Sequence, residues 1–163
     1  MAKKKASSGT PATVALTRAG IDHTLHPYDH DDAELHFGEE AAVKLGVSAS
    51  ETFKTLVVDS GSGLAVAVVP VAALLDLKAM GAALGVKKVA LADPAVAARS
   101  SGYVVGGISP IGQRNPLPTV VDSSAAELAT MMVSAGRRGL QVRLAPADLA
   151  AVTDARFAPI SSS

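Results

Sequence analysis

The sequence predicts a single α+β domain around a mixed sheet, and three observations carry that prediction. Apolar β-rich runs and short helical segments alternate irregularly, with no internal repeat and no βαβ period. A chain of 163 residues with 48% hydrophobic residues fills one substantial core and leaves no material for a second domain. Three Phe, two Tyr and no Trp make that core aliphatic. The domain is expected over 11–160, behind a flexible tail over 1–10 of lysine, serine and glycine with nothing to bury.

Each element has local chemistry behind it. Thr10-Pro11 supplies an N-cap and a proline at the first helical position, and Gly20 closes that helix. Alternation from Ile21 to Tyr28 reads as a strand running into the acidic loop Asp29 to Asp32. Glu39 to Leu45 is a helix with acidic residues at its start, Lys44 near its end and Gly46 after it. Phe53 to Asp59 and Leu64 to Val69 form a hairpin across Ser60-Gly61-Ser62-Gly63. Asp76 caps a helix over Leu77 to Leu84, Lys87 to Leu91 is a strand, and Asp93-Pro94 opens a helix that ends near Gly102. Further on come strands at Leu117 to Val121 and Met131 to Ser134 with a short helix around Ala125 to Leu128 between them. A turn at Gly136 to Gly139, a strand at Leu140 to Leu144 and a helix at Pro146 to Val152 complete the chain.

Composition excludes several function classes. Fifteen basic and fifteen acidic side chains balance, so no global positive field draws nucleic acid to the surface and any RNA contact is local. The sparse aromatics do not furnish a long single-strand groove. The absence of cysteine removes disulfides, thiolate metal sites and a protein thiol nucleophile together. The lysine-rich start lacks the apolar segment of a signal peptide, and the longest apolar run, Leu64 to Leu75, contains Pro70 and is too short to span a bilayer. The expected location is the cytoplasm, with no membrane partner.

Two stretches stand out chemically. Gly106-Gly107-Ile108-Ser109-Pro110-Ile111-Gly112 places three glycines in seven residues, a pattern suited to a nest of backbone N–H groups around an anionic or carbonyl oxygen. It also suits a plain tight loop. Lys54 is the only charge inside the β-branched run from Phe53 to Val58; it reads as a site cation or as an edge-strand lysine that deters aggregation. His23, His26, His30 and His36 with Asp29, Asp31, Asp32 and Glu34 have metal-ligand chemistry but no helical ligand spacing, since Pro27 breaks the His26/His30 pair. A solvated loop is the expected reading there, with no metal and no cofactor.

Phe53-Lys54-Thr55-Leu56, Val69-Pro70-Val71-Ala72, Asp76-Leu77-Lys78, Lys87-Lys88-Val89, Ala92-Asp93-Pro94, Gly102-Tyr103 and Gly106 to Gly112 recur in this order and at similar spacing in the YbaK family. The chain resembles that family from about Thr10 to Ile160. The resemblance implies a barrel-like sheet surrounded by short helices and a cytoplasmic Cys-tRNA(Pro) deacylase related to the editing domain of bacterial prolyl-tRNA synthetases. It implies Lys54 as the essential lysine, with Gly106, Gly107, Ser109 and Pro110 lining the pocket and Tyr28 and Phe37 bordering it. Ser109 is then a hydroxyl contact and not a nucleophile. The implied partner is mischarged tRNA(Pro), with room for prolyl-tRNA synthetase as a second. Hydrolysis of Ala-tRNA(Pro) and a non-catalytic tRNA-binding module are the alternatives, and the oligomeric state stays open.

Overall fold

A computed structural model describes residues 9–162, so all but the last two residues of the expected tail lie outside the described residues. Helix α1 (Pro11–Arg18) starts on Thr10 in a capping box with Thr13, and the Thr10 hydroxyl also donates to the Ala135 carbonyl, which ties the first helix to a distant strand. Strand β1 (Thr24–Pro27) is shorter than the alternation suggested. Helix α2 (Phe37–Leu45) begins two residues early, with no side-chain cap from His36 but with Glu39 and Glu40 in its first turn.

The hairpin forms as β2 (Phe53–Asp59) and β3 (Leu64–Pro70), in register from Phe53↔Pro70 to Asp59↔Leu64. Then come β4 (Leu74–Leu75), α3 (Leu77–Leu84) capped by Asp76, β5 (Ala90–Leu91) and α4 (Pro94–Ser101) capped by Asp93. The C-terminal third holds β6 (Thr119–Asp122), a 3₁₀ turn (Ser123–Glu127), β7 (Met131–Arg137), β8 (Leu140–Leu144), α5 (Pro146–Thr153), β9 (Arg156–Ala158) and β10 (Ser161–Ser162). Among the described residues no helix is long and apolar enough to cross a membrane.

The strands make a five-stranded mixed sheet, β5-β2-β3-β6-β9, a three-stranded antiparallel sheet, β1-β8-β7, and a short β10-β4 pair. The barrel-like expectation holds as a mixed sheet that does not close. The two larger sheets meet at one parallel bridge, Thr52↔Met132, where the Met132 N–H donates to the Glu51 carbonyl.

The hairpin is buried on both faces, which accounts for the almost unbroken apolar run of β3. Phe53, Val66, Val68 and Val121 face a core completed by Leu16, Met131, Val133, Val142 and Leu144. Val58, Ala65, Ala67, Val69 and Val120 face a second core closed by Met80 and Ile160. Buried Asp122 accepts from the backbone N–H groups of Ile160 and Ser161, which fixes the C-terminal segment.

Candidate functional site

Strand alternation decides which way Lys54 points. Phe53, Met131 and Val133 lie in the first core, so their neighbours Thr52, Lys54, Met132 and Ser134 project from the opposite face. The parallel bridge Thr52↔Met132 joins the chain at the start of β2 to β7, and Lys54 and Ser134 each lie two residues beyond it. On the side of β2 away from β3, pairing is limited to β5 at Val58 and Asp59 and to the β7 bridge at Thr52, so Lys54 lies between the two contacts. Lys54 is half-buried, and among the described residues its ammonium has no hydrogen-bond or ion-pair partner.

The same face of the three-stranded sheet is polar. Ser134 pairs with Gln141, Met132 with Arg143, and on the other side Gln141 pairs with His26 and Arg143 with Thr24. Tyr28 follows directly, its N–H donating to the Gly139 carbonyl at 2.9 Å. Burial pushes the Tyr28 phenol above its ordinary pKa, opposed by hydrogen bonds from the Gly139 backbone and the Gln141 side chain. Neither Ser134 nor Gln141 stands out in the sequence as a site residue. The available signal was the strict alternation of Leu140-Gln141-Val142-Arg143-Leu144, which requires one polar face.

The glycine loop is held rigidly at both ends. The Tyr103 hydroxyl donates to the Ile111 carbonyl at 2.6 Å, and Arg138 Nε donates to the Val105 carbonyl at 2.8 Å. Gly106, at φ +87°, sits on the Phe37 ring so closely that a Cβ would lie 2.6 Å from it. The Arg138 guanidinium covers the same ring at 5.1 Å from its centroid. Gly107 abuts the backbone of Arg137 and Arg138, where a Cβ would meet Arg137 Cα at 2.8 Å. Ser109 is fully buried, and its hydroxyl oxygen accepts from the Ile111 N–H; Pro110 is buried beside it. Among the described residues, the N–H groups of Gly106, Ile108 and Ser109 donate to no protein acceptor.

Contacts join loop and lysine. Phe37 supports Gly106, and the adjacent Gly38 is pressed on Val71, where a Cβ would lie 2.7 Å from Cγ2. The Val71 N–H in turn donates to Thr52, two residues before Lys54. Tyr28 and Phe37 are both half-buried and outside the two cores.

The acidic loop is pinned by Glu40. This carboxylate is 5% exposed and accepts from His30 Nδ1 at 2.7 Å, the Asp31 N–H at 2.7 Å and Lys44 at 3.1 Å. Burial alone would raise its pKa, but these donors together hold it at about 2. His23 binds the Ile21 carbonyl and His26 binds Thr24, so each ring already has a local protein partner. No group of three or more His, Asp or Glu among the described residues is arranged to hold a metal ion. A recess of about 330 Å³ beside α2 is lined by Asp31, Glu34, His36, Glu39, Glu40 and Lys44, four carboxylates against one lysine, which disfavours phosphate.

The architecture is that of the aminoacyl-tRNA editing domains. One crystal structure, described as "a putative trans-editing enzyme for prolyl tRNA synthetase", superposes with a TM-score of 0.81 at 24% identity, covering 96% of this chain and 98% of that one. A crystal structure of a hypothetical protein superposes at 0.83 with 27% identity, covering 94% of this chain and 100% of the other. Residues 33–152 match the model of the aminoacyl-tRNA editing domain. Over 163 residues the chain is 35% identical to a protein of Enterococcus faecalis named "Putative Cys-tRNA(Pro)/Cys-tRNA(Cys) deacylase EbsC", covering 99% of each. The chain therefore belongs to the aminoacyl-tRNA editing domain family, as the motif resemblance implied, and its function falls within aminoacyl-tRNA editing.

Proposed function

We propose that this protein is a trans-editing deacylase that removes cysteine from mischarged Cys-tRNA(Pro), and from Cys-tRNA(Cys) where it meets it. The observation that carries the reading is Lys54: a half-buried lysine with no partner among the described residues, beside a polar wall, in a family that acts on aminoacyl-tRNA. The named activity of the E. faecalis relative supports the choice of amino acid. A synthetase pocket for a small amino acid rejects a competitor of similar size only weakly, so a second site that destroys the wrong product restores accuracy.

The proposed chemistry uses the substrate's own thiol. Its sulfur attacks the ester carbonyl carbon, the new C–S bond closes a thiolactone, and the C–O bond to the terminal ribose breaks. The proton lost by the thiol ends on the ribose oxygen, so the step balances without a co-reactant. Lys54 neutralises the terminal phosphate or the developing oxyanion, and the unpaired loop N–H groups around Gly106 and Ile108 supply further donors. Tyr28 and Phe37 bound the pocket. The buried hydroxyl of Ser109, which caps the Ile111 N–H, gives this residue a loop-shaping role, with Pro110 packed beside it.

A deacylation assay on a panel of aminoacyl-tRNAs, with and without prolyl-tRNA synthetase, tests the proposal. Fast release from Cys-tRNA(Pro) is expected. Preference for Ala-tRNA(Pro) would replace thiol assistance by hydrolysis, and tight binding without turnover would make the chain a carrier module.

A further inference from the structure

Gln141 is a buried polar residue to which the proposed mechanism assigns no task. It is 6% exposed, yet it lies on the polar face of the sheet, between His26 of β1 and Ser134 of β7 and one strand from Lys54. Its Oε1 is buried with no hydrogen-bond partner. An amide oxygen stripped of water and given no donor is costly, and such a group in a native fold calls for an occupant that supplies one.

The cations on this wall do not satisfy it. Arg143 donates to Thr130 Oγ1 and Met132 Sδ, and Lys54 has no partner among the described residues. We infer that Gln141 Oε1 accepts a hydrogen bond from the α-ammonium group of the bound aminoacyl ester, an inference that rests on the proposed reading of the site as an aminoacyl-adenosine pocket. Of the donors that such a substrate end offers, the thiol must lose its proton to attack, and the ribose hydroxyl and adenine belong to the bulky, phosphate-bearing end. The α-ammonium is compact and one carbon from the reacting carbonyl. A neutral acceptor there binds it without forming an ion pair that would neutralise Lys54.

The test uses two non-hydrolysable probes in which adenosine carries a 3′-amide in place of the ester: one bears cysteine, the other 3-mercaptopropionate, which lacks only the amine. Calorimetric titration of the full chain is expected to show the cysteinyl probe binding about 10- to 100-fold tighter, the range of a hydrogen bond to a charged group. Gln141→Met, similar in length and without the amide, is expected to bind both probes within about threefold, whereas Gln141→Glu keeps the preference. In the unsubstituted protein, the side-chain amide resonance of Gln141 is expected to shift with the cysteinyl probe and not with the desamino one, a readout that needs no variant to fold. A preference that persists in Gln141→Met, or an amide resonance indifferent to the amine, overturns the inference and leaves the deacylase reading standing. Binding of neither probe removes the pocket itself, and both readings fall together.

Discussion

At the scale of single residues, charge placement separates the group proposed to act, Lys54, from a group that holds the fold, Glu40. Lys54 has no ion-pair partner among the described residues, so Lys54→Met removes an electrostatic group without orphaning another. The variant is expected to keep its melting temperature within a few degrees while deacylation falls ~10²- to 10³-fold, the size of losing one pre-organised donor. Unaltered turnover in the folded variant would remove Lys54 from the mechanism. Glu40 is the reverse case, buried among three donors. Glu40→Gln weakens all three contacts and is expected to cost about 1–3 kcal/mol, a fall of roughly 2–10 °C in melting temperature. The pH dependence has a definite sign. With a folded pKa of about 2 against 4.5 for the unfolded group, the stabilising contribution is complete above pH 4.5 and is lost as pH falls toward 2. Melting curves of the two proteins should therefore converge across that window; a constant gap would contradict the assignment.

At the scale of elements, the glycine loop is a fitted part rather than a slack connection. Gly107 faces the backbone of Arg137 and Arg138, which cannot rotate away as a side chain does, so even Gly107→Ala is expected to destabilise by about 1–3 kcal/mol. Thermal melts would show this directly, and an unchanged midpoint would mean that the loop is not seated on the β7–β8 turn. Punctuated elements were legible in the sequence: α1, α3 and α4 start on Thr10, Asp76 and Asp93, and the last two end at Gly85 and Gly102. Two-residue pairings such as β4 with β10 were not, because Leu74-Leu75 and Ser161-Ser162 are too short to show a period and are brought together by tertiary structure. Part of the candidate site was legible for the same reason as the helices. Lys54 breaks an apolar run and Gly106 to Gly112 breaks the composition. Ser134 and Gln141 look ordinary until register places them on the Lys54 side of the sheet.

At the scale of the whole molecule, zero net formal charge bears on how a tRNA is held. Recognition concentrated on the aminoacyl end neutralises few phosphates. Affinity for charged tRNA is thus expected to fall less than about tenfold between 50 and 200 mM salt, where a protein with 6–10 phosphate contacts loses ~10³- to 10⁵-fold. A steep salt slope would point to an extended tRNA interface. The absence of any protein cysteine bears on the proposed chemistry in the same global way, since a thiol nucleophile would have to come from the substrate. At neutral pH a few per cent of a thiol with pKa about 8.5 is already thiolate, whereas an alcohol is scarcely ionised. The most direct measurement compares single-turnover deacylation of Cys-tRNA(Pro) with that of the S-methyl-cysteinyl form. The account predicts rapid release of the first and none of the second above the spontaneous rate, with both still bound. Comparable release of the S-methylated substrate would contradict thiol assistance and assign the attack to water or to the ribose hydroxyl.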